Sequence, residues 1–412
     1  MNNPTRHRSW IFGRAQRQVA GAALALAIVL VPVVVATESA QAQTFTVLHS
    51  FTGGTSGPDG AYPSAGLIRD GAGNLYGTTN RGAPWQSGTV FKVDKTGKET
   101  VLYSFTGGED GFGPSGLIRD TAGNLYGTTR QDSVSGNGTV FRLDKTGEES
   151  VLYRFTGSID GGIPEAGLIR DPAGNFYGTA VQGGAMTDCE HAGCGVVFKL
   201  DTADKETVLY AFTGGADGKN PEAGLTRDAA GNLYGTTDGG GNLSCNAPYG
   251  CGVVFKVDPT GKETVLYSFS GGTDGGNPTS GVIRDGSGNL YGTILLGSIH
   301  QAGAVFKVTA KGKETVLYNF TGGADGGYPY GGLVRDGAGN LYGTANTFGA
   351  YGFGTVFKLD VHGNLTVLHA FTGGADGGYP YAGLVRDAAG DLYGTAYYGG
   401  SAGVGTVFEI TP

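Results

Sequence analysis

One phrase returns seven times along this chain. With small variations it reads G-L-I-R-D, a two- or three-residue turn, then G-N-L-Y-G-T. Its tyrosine falls at Tyr76, Tyr126, Tyr177, Tyr234, Tyr291, Tyr342 and Tyr393, in steps of 50 to 57 residues. That period belongs to propeller blades and is too long for the common helical repeats. The repeats fill the chain after residue 42, so whatever it folds into must be built from seven like units.

Repeat two shows the unit. Gly116 to Asp120 is a short strand, Asp120 to Asn124 a turn, and Asn124 to Thr129 a second strand. Gly138 to Asp144 is a third strand and Ser150 to Phe155 a fourth. Each run is short, rich in β-branched and aromatic residues, and bounded by Gly, Asp, Asn or Pro. Alternation places Val151, Tyr153 and Phe155 on one sheet face and Leu152 on the other. Such a sheet buries both faces only between two neighbours, and a closed ring leaves no blade bare. The sequence therefore predicts an all-β, seven-bladed β-propeller with four antiparallel strands per blade, 28 in all. The 80 glycines suit the tight turns this requires.

The ends predict how the ring shuts. Phe45 to Phe51 matches the fourth strand of a repeat, and Gly405 to Ile410 matches the third. The N-terminal strand is expected to complete the last blade.

Residues 1–42 read as a secretory signal peptide: Arg6, Arg8, Arg14 and Arg17, an apolar run from Val19 to Ala36, then Ala40-Gln41-Ala42. A retained membrane anchor is the competing reading. Cleavage after Ala42 sends a domain of residues 43–412 to the periplasm or outside the cell. The mature portion holds 24 Lys and Arg against 35 Asp and Glu, the full-chain 28 and 36 less those four arginines and Glu38. A net charge near −11 with no basic stripe excludes nucleic acid as a partner. With no second apolar segment, the mature chain is not expected to insert in a membrane; it is expected to be a monomer.

The runs A-G-N-L-Y-G-T, G-T-V-F-K-V-D and E-T-V-L-Y-S-F resemble the GloVer-type tandem repeat of exported bacterial proteins with varied anchors. The likeness spans the mature chain and implies no activity. More loosely, G-N-L-Y is similar to the second strand of NHL- and SMP-30-like propeller blades, which implies fold alone.

With G-L-I-R-D innermost, loops 1→2 and 3→4 share a uniform face. Loops 2→3 and 4→1 share the other, and nearly all length changes and unusual side chains sit in 2→3. Trp85, Glu190, His191, Tyr249, His300, Tyr351, Phe353, Tyr397 and Tyr398 are the candidate binding residues there. The competing reading is unselected drift in these loops.

Four cysteines read as two loop-closing disulfides, Cys189–Cys194 and Cys245–Cys251, with cross-blade pairing and a zinc site including His191 as alternatives. The T-G-G-x-D-G aspartates, from Asp59 to Asp376, read as turn acceptors, with calcium as the alternative. The Arg-Asp pair of each repeat reads as packing, with arginine forking onto a carboxylate of the neighbouring blade. No H-E-x-x-H motif occurs. His191, His300 and Glu190 are the residues an acid–base site would use. No cofactor or metal is expected. The sequence points to a secreted, non-enzymatic protein binding a glycan or exported protein; the alternatives are an extracellular lyase or hydrolase and a structural surface protein.

Overall fold

Each repeat folds as one four-stranded antiparallel sheet because its apolar residues recur in short runs separated by glycine turns. The computed structural model describes residues 43–53, 59–82, 85–184, 189 and 192–411. Blade 1 is Ile68–Arg69, Leu75–Thr79, Thr89–Val93 and Glu99–Ser104, paired in that order. Blades 2 to 6 repeat it, and among the described residues the regular structure is entirely strand. The last blade closes as the sequence predicts. Thr44–Ser50 lies antiparallel to Thr406–Thr411, paired from Thr44 opposite Thr411 to Ser50 opposite Thr406 with one bulge between Val47 and His49.

The first strand of each blade is innermost. A Cβ on Gly281 would sit 2.6 Å from the carbonyl of Gly224, and one on Gly167 3.1 Å from that of Gly116. Only glycine lets neighbouring first strands approach this closely around the axis.

The core is seven apolar clusters, one per seam between blades. At the centre of each, a phenylalanine from one blade meets the T-V-F phenylalanine of the next edge-to-face. The pairs run from Phe51–Phe91 at 5.0 Å to Phe371–Phe408 at 5.3 Å between centroids. The glycine of L-Y-G-T makes room: a Cβ on Gly77 would lie 2.6 Å from the Phe91 ring. The following threonine donates across the same seam. Thr78, Thr128, Thr179, Thr236, Thr293 and Thr344 reach main-chain carbonyls of the next blade at 2.8–3.3 Å.

Three details differ from expectation. The repeated arginine stacks on the preceding blade's tyrosine rather than forking onto its carboxylate. Arg69 lies over Tyr393, Arg119 over Tyr76 and Arg386 over Tyr342, with all seven guanidinium-to-centroid distances 5.4–5.9 Å. Only Arg69 also pairs with a carboxylate, Asp387 at 3.2 Å. The reason is that six of these aspartates already accept from Asn and Tyr of their own blade, as Asp70 does from Asn74 and Tyr76, whereas Asp387, the partner of Arg69, has Asp391 in the Asn position. Second, the fourth strand of blade 2 slips register between Val151 and Tyr153. This bulge turns Leu152 to the same seam as Tyr153 and Phe155, breaking the simple alternation. Third, blade 2 carries a 29th strand, Phe112–Pro114, paired with Leu125–Gln131. Its stretch from Asp110 to Gly116 is one residue shorter than its counterparts, such as Asp160 to Gly167.

The seams also hold charge. Glu99, Glu149, Glu206, Glu263 and Glu314 open five fourth strands and are half-buried, each with Oε1 unpartnered. Burial pushes all five carboxyls up to about 7. A loop aspartate in the same seam adds to it: Asp59, Asp110, Asp160, Asp217 and Asp274 respectively. His49 opposes the shift at Glu99, and Arg154 at Glu149.

Two predictions follow from the seams. Deleting Thr44–Ser50 uncovers the last blade and strips Leu48 from the closing cluster, so the melting temperature falls sharply; an unchanged value would refute closure by this strand. The glutamates are protonated longer in the folded state than in the unfolded chain. The stability they contribute is full below about pH 4.5 and is lost as pH rises through about 7. Urea midpoints should therefore drop between pH 5 and 8, and the fivefold Glu→Gln variant should flatten that slope.

Candidate functional site

Loops 2→3 and 4→1 emerge together, and this face carries the exposed apolar surface. Among the described residues, nine of the ten exposed large apolar side chains project here, including Trp85, Val134, Ile159, Ile299 and Tyr351; the tenth, Val361, sits in a 3→4 turn. Trp85 is 60% exposed and Tyr351 61%. His300 stands exposed in a turn of loop five.

Other candidates are tied into the scaffold. Tyr249 donates to Asp238 at 2.5 Å, accepts from Asn220 at 2.8 Å, and has Lys219 4.1 Å from its ring centre. Phe353 packs against Gly373 and edge-on to Tyr379 at 5.5 Å, plugging the seam to blade 7. Cys251 holds the equivalent place before the glycine that opens the third strand. There the Cys245–Cys251 disulfide lies against Gly271, and Cys189–Cys194 lies against Gly214 in the same way. The two bridges join the cysteines that the spacing pairs, each within its own loop. Glu190 and His191 lie outside the described residues, as do residues 1–42.

The T-G-G-x-D aspartates act inside the fold. Asp110 accepts from the Thr106 amide and hydroxyl and from Tyr103 at 3.0 Å, and Asp160, Asp217 and Asp325 repeat this. His49 and His369 replace the tyrosine at 3.2 Å and 3.0 Å from Asp59 and Asp376. Burial, against the pull of Asp376, holds the His369 imidazole below its ordinary value. Among the described residues, no three His, Cys, Asp or Glu side chains gather as a metal-holding group.

At the centre of the variable face lies the mouth of the ring. Three positions per blade build it, and they differ between repeats that are otherwise nearly alike. The residue before the proline of D-G-x-x-P is Tyr62, Gly113, Ile163, Asn220, Asn277, Tyr328 or Tyr379. All seven have φ between 52° and 64°, although six are not glycine. Such backbone is strained and persists only when its surroundings impose it. Here each amide donates to a loop carbonyl of the preceding blade at 2.8–3.0 Å. In six blades its carbonyl accepts from the residue just after the second strand: Asn80, Val181, Asp238, Leu295, Asn346 or Tyr397. The residue after the proline is Ser64, Glu165, Glu222, Thr279, Tyr330 or Tyr381; blade 2 lacks it.

These rings divide the mouth. Blades 6, 7 and 1 supply a continuous aromatic belt: Tyr330–Tyr381 at 5.3 Å, Tyr381–Tyr397 at 5.1 Å, Tyr397–Tyr62 at 5.1 Å and Tyr62–Tyr398 at 5.5 Å. Blades 3 and 4 supply Glu165, Glu222 and Asp238. Glu222 is pushed up to about 7, by burial first and then by Asp238 and Glu165, against Arg130. Burial raises the Tyr330 phenol, with Glu222 and Asp238 adding to it from across the mouth. Arg130 pairs with Glu165.

Of the candidates taken from the sequence, the structure brings Tyr397 and Tyr398 into the mouth, with Tyr249 bound to its Asp238. Trp85, His300 and Tyr351 stand on exposed loops of the same face. The x-Pro-x residues escaped the sequence reading because attention fell on loop length. Their signal was variation at fixed positions inside a near-invariant repeat.

A ring of seven blades with one uniform and one individual face defines a β-propeller with a candidate site at the mouth of its loop face. The chain belongs to the Gloeobacter/Verrucomicrobia repeat family, which it matches over residues 34–247 and again over 241–412. No curated protein matches it. Among solved structures it is similar to the extracellular domain of a hybrid two-component system from B. thetaiotaomicron, with 13% identity and a TM-score of 0.55. That match covers 90% of this chain but 41% of the other, so this chain spans about two fifths of its length. A gluconolactonase from Xanthomonas campestris scores 0.44, with 15% identity and 89% of each chain covered. At such identities the likeness shows the propeller fold alone.

Glu222 should keep its proton at pH 6 and release it near pH 7, read by carboxyl carbon NMR. Because Arg130 favours the charged form, Arg130→Gln should move that midpoint higher; a Glu222 midpoint near 4.5 in the parent would refute the burial described.

Proposed function

We propose that this is an exported, non-enzymatic binding protein that engages its partner through the loop face, with a glycan as the ligand at the mouth. One observation carries the reading: among the described residues, nine of ten exposed large apolar side chains crowd this face, around a mouth individual to each blade. Scattered exposed apolar residues are ordinary, but their segregation to one face marks an interaction surface. Tyrosine offers a broad apolar ring with a polar tip, which suits sugars that have C–H faces and hydroxyl edges. The signal-like leader and the two disulfides support an oxidising, extracytoplasmic location, periplasmic or extracellular. The repeats restrict their differences to this side, which supports selection there and not along the whole blade.

A second reading, an extracellular lyase or hydrolase on the same face, draws on Glu222. A carboxyl that titrates near 7 beside Asp238 is tuned as a general acid would be.

Glycan-array and pull-down screens of residues 43–412 test both. The binding reading expects capture of a glycan, weakened at least about tenfold when Tyr397 and Tyr398 are replaced by alanine. Capture of an exported protein that depends on Trp85 and Tyr351 would relocate the ligand from mouth to rim. Turnover of the captured glycan, abolished in Glu222→Gln with binding intact, would establish the enzyme instead. No capture at all would leave a structural surface protein.

A further inference from the structure

Blade 2 departs from its neighbours in a way that opens space. Every other blade places a residue after its proline at the axis, but in blade 2 Ser115 follows Pro114 and Gly116 comes at once. Above this missing residue lies a cavity of about 770 Å³, floored by Phe112 and Gly113 and walled by blades 1, 3 and 7. Its volume falls within the ~300–1,000 Å³ usual for small-ligand sites.

The walls carry an unusual concentration of donors. Blades 1 to 3 end their second strands in Asn80-Arg81, Arg130-Gln131 and Val181-Gln182, and all but one of these side chains are polar. Main-chain pairing fixes where they start. Arg81 exchanges two hydrogen bonds with Ala61 at 2.7 and 3.1 Å, Gln182 exchanges two with Gly162 at 3.1 and 3.0 Å, and Gln131 pairs with Phe112 in the extra strand. Rigid attachment of this kind pre-organises a site. The charge is also out of character. In a chain of net charge −8 this cavity holds two arginines and one carboxylate. Arg130 is paired with Glu165, whereas among the described residues Arg81 has no carboxylate partner. Tyr397, a member of the aromatic belt, closes the blade 7 side.

We propose that this cavity is a subsite for a carboxylate-bearing sugar, a uronate unit of an acidic glycan, with Arg81 taking the carboxylate. The inference rests on the glycan reading above and deepens it. A guanidinium fork matches a carboxylate in shape and charge. The side-chain amides of Asn80, Gln131 and Gln182 each present a donor and an acceptor, which is what neighbouring hydroxyls require. Glu165, on the far wall, accepts from hydroxyls and disfavours a multiply charged anion such as phosphate. Tyr397 presents its ring to the sugar's apolar face.

Titration calorimetry of residues 43–412 with tetragalacturonate and with its methyl-esterified, neutral counterpart tests this. The acid form should bind at least about tenfold more tightly, a charge-assisted pair being roughly twice as strong as a neutral hydrogen bond. Arg81→Gln, at an exposed side chain that the fold does not need, should erase that preference while leaving the melting temperature unchanged. Inserting a tyrosine between Pro114 and Ser115 should fill the cavity and abolish binding of both. Equal affinity for the two ligands, or a preference that survives Arg81→Gln, overturns the proposal. If neither oligosaccharide binds but another glycan is captured and lost with Tyr397 and Tyr398, the uronate subsite fails and the glycan-binding reading stands. If no glycan is captured, both fail.

Discussion

The edge-to-face meeting of two phenylalanines across each seam is the contact on which the molecule depends. It recurs seven times with centroids 5.0–5.3 Å apart, and it ties neighbouring sheets at their most buried point. Such a pair is worth about 0.5–1.5 kcal/mol beyond the area it buries. The geometry is exacting because one ring occupies space that the L-Y-G-T glycine leaves empty. A blade on its own has only half of each pair. The ring is therefore cooperative, and the seam closed by the two chain ends matters as much as the six closed by neighbours in sequence. At that seam Phe51 meets Phe91, Arg69 stacks on Tyr393 and pairs with Asp387, and Phe45 stacks on His369 at 3.7 Å at the neighbouring outer edge.

Most repeated residues are thereby accounted for as seam or turn chemistry. Arginine lies on a tyrosine of the preceding blade, the aspartate beside it orders its own turn, and the loop aspartate fixes the start of the next blade. None is spare for a ligand. Individuality is left to positions that the seams do not use, and these converge at the mouth.

The fold was legible because a 50- to 57-residue period leaves few architectures, and because Phe45–Phe51 is recognisably a fourth strand lacking its own blade. The bulge at Leu152 was not legible: V-L-Y reads as plain alternation, and only pairing with Val140 and Phe141 reveals the extra residue. Arginine's partner was misjudged because the sequence does not show that Asn74 and Tyr76 occupy the carboxylate first. Loop composition led to Trp85, Tyr351, Tyr397 and Tyr398, which lie on the variable face, and also to Phe353, whose aromatic ring is a seam plug. Glu222, Tyr330 and Tyr381 flank prolines in stretches that look like connecting turns. Only the stacking of blades around an axis draws them together, and that is a property of closure and not of any one repeat.

The left-handed residue ahead of each proline has an evolutionary consequence. Its conformation is imposed by a carbonyl of the adjoining blade, so Asn, Ile, Tyr and Gly all adopt it with little change in φ. Backbone shape at these seven sites has become independent of side-chain identity. Descendants of such a chain can exchange one residue there for another and acquire a new specificity, with the frame that presents it left undisturbed.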